Sequence, residues 1–144
     1  MTVPAPTAKP TPAPKPAPRS FSRFNRLPVL TPDRSLDSLT LGFLKALEKE
    51  GKFAGEIHAD FPSRLINATD NSVYQVMPTA VLQPRNRNDI NVVMELAGRE
   101  EFSEVKITPR GGGTGTNGQS LNNTITLDTS KHLNNILGFD AEKG

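Results

Sequence analysis

Five glycines fall within the eight positions 111–118, and β-forming runs lie on both sides of them. Upstream stands Val105-Lys106-Ile107-Thr108, and downstream Thr124-Ile125-Thr126-Leu127-Asp128. Glycine reaches backbone conformations closed to other residues, so such a segment turns tightly and lets a ligand approach the main chain. Successive main-chain N–H groups in a turn of this kind form a concave anion site, to which Thr114, Thr116 and Ser120 add hydroxyl donors. A purely structural turn needs one or two glycines. Five imply a phosphate or pyrophosphate guest.

Two phosphate motifs fit in part and fail in context. Gly113, Gly115 and Gly118 have the G-x-G-x-x-G spacing of a dinucleotide fold, which requires a helix to begin inside the loop. Here the loop runs through Leu121-Asn122-Asn123 into a strand. Gly113 and Gly118 also have P-loop spacing, but Gln119 stands where the phosphate-binding lysine belongs. Neither a Rossmann site nor an NTPase is expected.

The surrounding pattern sets the loop in an α+β frame. A short strand Ala80-Val81-Leu82-Gln83 ends at Pro84, and Asn86 or Asn88 caps a helix whose Ile90, Val93, Met94 and Ala97 share a face. The strand at 105–108 follows, stopped by Pro109. Strand, helix and strand over this length imply parallel strands joined by a right-handed crossover. An earlier helix carries Leu36, Leu39, Phe43, Leu44 and Leu47 on one side, with Thr31 or Ser35 as its cap and Gly51 as its left-handed stop. From Phe53 to Pro78 neither period is clear, although Asp70-Asn71-Ser72 with Tyr74 predicts a turn leading into extended chain. A further strand is expected to begin near Ile136.

Residues 1–32 read as a disordered leader. Most of the 13 prolines lie at positions 4 to 32, in an Ala/Pro/Lys context that favours polyproline II and cannot build a core. They also dilute the hydrophobic content to 35%. Arg19 to Arg26 interleaves basic and aromatic residues, which suits a transit signal, an acidic-surface contact or simply a solvated leader; proline at this density opposes a helical transit peptide. The net charge of +2 comes from this end, since Lys9, Lys15, Arg19, Arg23 and Arg26 all precede the first acidic residue, Asp33. The remainder has no basic surplus for a nucleic-acid groove. With no cysteine, these residues offer no disulfide, thiolate zinc site or iron–sulfur ligand. No apolar run approaches membrane-spanning length and no secretory h-region opens the chain, in keeping with the cytoplasm. For the same reason Asn67-Ala68-Thr69 and Asn122-Asn123-Thr124 read as chance glycosylation patterns.

The order Pro78-x-Ala80-Val81-Leu82-x-Pro84, a helix, Thr108-Pro109-Arg110-Gly111-Gly112-Gly113-Thr114-Gly115-Thr116-Asn117-Gly118, then a strand ending in Asp128, resembles a known family. It is similar to the FAD-binding domain of the vanillyl-alcohol oxidase and p-cresol methylhydroxylase (PCMH) type. Asp70-Asn71-Ser72-x-Tyr74-Gln75 and Asp128-x-Ser130-x-His132-Leu133-Asn134 extend the resemblance to the large bacterial flavin and iron–sulfur D-2-hydroxyglutarate dehydrogenases. It covers residues 35 to 144.

The resemblance implies an α+β first lobe of a PCMH-type FAD-binding domain, truncated here. Its domain organisation is a leader at 1–32, a helical extension at 33–73 and the flavin domain from 74 to 144. It assigns FAD pyrophosphate to Arg110, Gly111, Gly112, Gly113, Thr114, Gly115, Thr116, Asn117 and Gly118, reaching Gln119 and Ser120. Some relatives tether the flavin through a histidine at the position of Thr114; threonine cannot make that bond, so FAD is expected to be non-covalent. The implied reaction is oxidation of a D-2-hydroxy acid by hydride transfer to FAD, with electrons passed to a separate acceptor. Catalytic residues, metal ligands and any iron–sulfur cluster would lie downstream of these residues, and the fragment alone is expected to be inactive. A D-lactate dehydrogenase, a glycolate oxidase subunit and a truncated anion-binding module are the alternatives. His58 and His132 stand apart from any metal-type cluster, with surface or capping roles expected, and Arg110 either meets phosphate or braces the loop through a carboxylate such as Asp128.

Overall fold

The computed structural model describes residues 37–143; the leader, Leu36 and the expected caps Thr31 and Ser35 lie outside them. The first helix, α1, spans Ser38–Glu50. Its cap is Asp37, whose carboxylate accepts from Thr40 N at 2.8 Å and Thr40 Oγ1 at 2.7 Å. That double contact lowers the Asp37 pKa, with the backbone bond from Thr40 as the main cause. Gly51 ends the helix at φ 63° and donates to Glu48 O, as expected of a left-handed cap.

The 53–78 segment, which carries no clear period, holds a three-residue strand β1 (Glu56–His58) and a short helix α2 (Phe61–Ile66). Both are too brief to repeat a pattern. Asp60 caps α2 by accepting from Ser63 N, and Pro62 sits in its first turn. Strand β2 (Ala80–Gln83) and helix α3 (Arg87–Ala97) follow, with Asn86 as the α3 cap. Strand β3 runs Ile107–Arg110, and β4 runs Ile125–Asp128.

Three sequence expectations shift here. Pro109 does not stop β3 but lies inside it, opposite Leu127. This is possible because β3 is an edge strand, where a missing N–H faces outward. The buried side of α3 is Asp89, Val92, Val93 and Leu96, while Met94 is exposed. A buried aspartate hides the true apolar arc: its carboxylate accepts from Ala54 N at 2.9 Å and Arg85 N at 2.8 Å. Finally, no strand forms near Ile136, whose side chain is exposed with those of Leu137 and Phe139.

The four strands make one sheet in the order β1-β2-β4-β3. Strand β2 pairs with β4 in parallel, and so does β3, while β1 runs antiparallel on the far edge of β2. The expected parallel strand–helix–strand unit is therefore present, with β4 inserted between its two strands. Alternation along each strand sorts the side chains onto two faces. Ala80, Leu82, Ile125 and Leu127 join Phe43, Leu47, Val93 and Leu96 in the core between sheet, α1 and α3. Phe43 and Phe102 meet edge to face there, their centroids 5.3 Å apart. The opposite face carries Val81, Gln83, Thr126, Asp128 and Arg110, and α2 packs against β2.

Candidate functional site

Parallel strands β2, β4 and β3 end on the same side, and the glycine loop leaves β3 at that end. Such carboxyl-terminal crevices are where open parallel sheets place ligands. Residues 111–124 connect β3 to its parallel neighbour β4 without a helix, so the dinucleotide-fold alternative is excluded by geometry.

Gly113 and Gly118 take φ of 66° and 75°. Side chains rarely adopt this region, so both positions depend on glycine. Space is restricted as well. A Cβ on Gly113 would collide with the Arg110 guanidinium, and one on Gly118 would press to 3.0 Å against the Tyr74 ring. On Gly115 it would meet the Gln119 amide at 2.6 Å. Gly111, by contrast, faces open space.

No hydrogen bond to another described residue takes up the main-chain N–H groups of Gly111, Gly112, Gly113, Thr114, Gly115 or Thr116. The first donor engaged within the loop is Asn117 N, at 3.0 Å from Gln119 Oε1. Thr114, Thr116 and Asn117 are exposed, and Ser120 is buried. A concavity of about 380 Å³ borders the loop, lined among others by Gly111, Gly112, Asp128, Ser130 and Lys131. Consecutive unbonded donors fit the acceptor-only oxygens of a diphosphate.

The loop rests on a segment that sequence reasoning described only as a turn. Asp70 Oδ1 accepts from Ser72 N at 2.9 Å, as the Asp-Asn-Ser string predicts, and its Oδ2 accepts from Ser120 Oγ at 3.2 Å. Asn71 N donates to Gly113 O at 3.0 Å. Arg110 Nη2 donates to Thr69 O at 2.8 Å, and Nη1 reaches Ser120 Oγ at 3.4 Å. Arg110 therefore braces the loop, but through a carbonyl and a hydroxyl rather than through Asp128. The Asp128 carboxylate instead accepts from Gln83 Nε2 and from Ser130 N and Oγ. The hydrogen bonds from Ser72 and Ser120 and the nearby Arg110 charge hold the Asp70 pKa down, with Ser72 the largest cause.

A second polar cluster lies at the other edge of the same sheet face. Glu56 on β1 receives Lys131 Nζ at 2.6 Å, His132 Nε2 at 2.9 Å and His58 Nε2 at 3.2 Å, with Arg85 Nη2 at 3.8 Å. Its pKa is lowered to about 2, chiefly by Lys131 and then by His132. Both histidines thus meet one carboxylate, a convergence that their separation of more than seventy residues conceals. Among the described residues no three His, Cys, Asp or Glu side chains are arranged to hold a metal ion.

Residues 78–144 match the family described as the FAD binding domain, and the glycine loop lies within the matched stretch. The chain is 42% identical over 118 residues to D-2-hydroxyglutarate dehydrogenase of Escherichia coli, covering 82% of this chain and 12% of that protein. With D-2-hydroxyglutarate dehydrogenase of Pseudomonas putida the identity is 50% over 101 residues, or 70% of this chain and 10% of the other. The chain spans about a tenth of the length of these relatives. Among solved structures, Physcomitrella patens BBE-like 1 aligns with a TM-score of 0.48 at 15% identity, over 60% of this chain and 19% of that one.

Proposed function

We propose that residues 35–144, whose portion from Pro78 onward matches the FAD binding domain, open the cofactor-binding domain of a flavin-dependent dehydrogenase. Arg110 to Ser120 form its pyrophosphate cradle. The observation that carries this reading is the run of unbonded N–H groups from Gly111 to Thr116 at the ends of parallel strands. Because no described residue takes up these donors, no internal hydrogen bond has to break when an anion binds. Gly113 and Gly118 keep the backbone accessible, while Arg110 supports it from below. Thr114 offers a hydroxyl and no nitrogen nucleophile, so the cofactor is held without a covalent bond at that position.

When bound, FAD supplies the hydride-accepting ring, and the protein supplies binding and orientation. The substrate is a D-2-hydroxy acid resembling D-2-hydroxyglutarate, on which the similar proteins are named to act. A separate acceptor then takes the electrons. The groups that activate the substrate belong to sequence outside these residues. So would the ligands of any iron–sulfur cluster, because this chain has no cysteine. No helix among the described residues is long and apolar enough to cross a membrane, and we place the protein in the cytoplasm. Because Thr69, Asp70, Asn71 and Tyr74 touch the loop, we take the end of the 33–73 extension to work together with the flavin domain placed from 74 onward.

The test is a visible spectrum of protein expressed from the complete reading frame, before and after denaturation. Oxidised-flavin bands, with the colour released on unfolding, are expected, together with bleaching by D-2-hydroxyglutarate under anaerobic conditions. A colourless protein that takes up no added FAD would overturn the flavin reading. A colour that stays with the unfolded chain would overturn non-covalent binding. Bleaching by D-lactate or glycolate alone would move the substrate elsewhere.

A further inference from the structure

The glycine loop leans on a segment outside it as well as on its own hydrogen bonds. It meets a five-residue arm, Thr69 to Val73, and Tyr74 directly after it, all ahead of the matched flavin domain. The arm touches the loop at three separated points. Thr69 O accepts from Arg110 at the loop's start, Asn71 N donates to Gly113 O in its middle, and Asp70 Oδ2 accepts from Ser120 Oγ at its end. The Tyr74 ring lies against Gly118.

The middle contact has a directional consequence. The described chain contains no cis peptide bond, and across a trans peptide the C=O and the next N–H point in opposite directions. Drawing the Gly113 carbonyl toward Asn71 therefore turns the Thr114 N–H away from the arm. The other two contacts fix the loop's ends. Asp70 is central because it also shapes the arm: its second oxygen closes the turn onto Ser72 N, and Ser72 Oγ in turn accepts from Tyr74 N at 3.1 Å.

We propose that Asp70 is a positioning residue for the anion cradle, holding the arm in the form that turns the Thr114 N–H away from it through Asn71 and anchors the loop's end through Ser120. This rests on the reading of the loop as the FAD pyrophosphate site. A carboxylate beside a diphosphate site is electrostatically adverse unless it does structural work. Here its charge is turned to Ser72 N, Ser120 Oγ and the nearby Arg110. Two opposite expectations therefore separate. If Asp70 only adds negative charge, removing it tightens FAD. If it positions the loop, removing it weakens FAD.

The experiment titrates FAD into flavin-stripped protein from the complete reading frame, following flavin fluorescence, for wild type, Asp70→Asn, Asp70→Ala, Ser120→Ala and the double alanine variant. Asp70→Ala should raise the FAD dissociation constant about tenfold or more, the scale of a lost charged hydrogen bond. Asp70→Asn keeps an oxygen for Ser72 N and should recover part of that loss. The double variant should bind FAD more tightly than the product of the single effects, because Asp70 and Ser120 share one contact. Melting of the stripped proteins shows which variants fold; if Asp70→Ala does not, Asp70→Asn and Ser120→Ala carry the test. Equal or tighter FAD binding by Asp70→Ala, or strictly multiplicative single effects, would overturn the positioning role. A wild-type protein that fails to bind FAD overturns the flavin reading instead.

Discussion

The two faces of the small sheet are built from the same four strands and serve opposite ends. On one, Ala80, Leu82, Ile125 and Leu127 are buried against α1 and α3 with no polar partner to satisfy. On the other, Gln83 bonds Asp128, His58 meets both Gln83 and Glu56, Arg110 reaches Thr69 and Ser120, and α2 packs against β2, which carries the buried Val81. Stability on the first face comes from volume and exclusion of water. Order on the second comes from hydrogen-bond geometry, each contact contributing little by itself but fixing where the loop and its flanks lie. A ligand crevice needs that division. Tight packing on one side lets the other remain open and polar.

The sharpest break between the faces is expected from Leu82→Ala. Leu82 is completely buried in the centre of the apolar face, so truncation should cost about 2–5 kcal/mol of folding free energy, read from denaturant midpoints. FAD affinity of the folded fraction should hardly change. A cost below ~1 kcal/mol would mean that this face is loosely packed.

Gly113→Ala tests the polar face in the reverse sense. The φ of 66° makes an L side chain unfavourable by about 1–2 kcal/mol, and the Arg110 guanidinium occupies the space a Cβ needs. FAD should bind about tenfold more weakly, with a smaller change in stability than for Leu82→Ala. Equal FAD binding would remove this backbone from the cradle.

Thr126→Val should show a change of opposite sign. Thr126 is fully buried in β4 and points to the polar face, yet its Oγ1 has no hydrogen-bond partner among the described residues. Replacing an unsatisfied buried hydroxyl with a methyl of the same shape is expected to stabilise by about 1 kcal/mol. A loss of stability would show that the hydroxyl finds a partner, a bridging water for example, in solution.

How much of this was legible beforehand follows the same division. The apolar face announces itself locally: Ala80–Gln83 and Ile125–Asp128 are β-rich runs bounded by loop residues, and α1 repeats at helical spacing. The place of the glycine loop between two parallel strands was readable because it is written in consecutive residues. What escaped were elements below one period in length, β1 and α2, and side chains whose partners lie far away in sequence. Asp70 looks like an ordinary turn residue until Ser120 is placed beside it, fifty positions on. The buried side of α3 excludes Met94 for a related reason. Asp89 reads as polar surface, yet backbone donors from Ala54 and Arg85 make it an interior residue.

The smallest expected effect belongs to Glu56, and it distinguishes the polar face by pH. Lys131, His132 and His58 stabilise its charged form and hold its pKa near 2, below the ordinary value of 4.5. In the folded chain the carboxylate thus stays ionised where the unfolded chain would already bind a proton. The stabilisation is fully present above pH 4.5 and disappears as pH falls through about 2. Because Glu56 is solvent-accessible, the gain is screened and should be modest. Melting temperatures of wild type and Glu56→Gln should therefore differ slightly at pH 4.5, then converge between pH 4.5 and 2. Raising the salt concentration should shrink the difference. If the gap persists unchanged at pH 2, Glu56 joins β1 to Lys131 and His132 by packing and neutral hydrogen bonds rather than by charge.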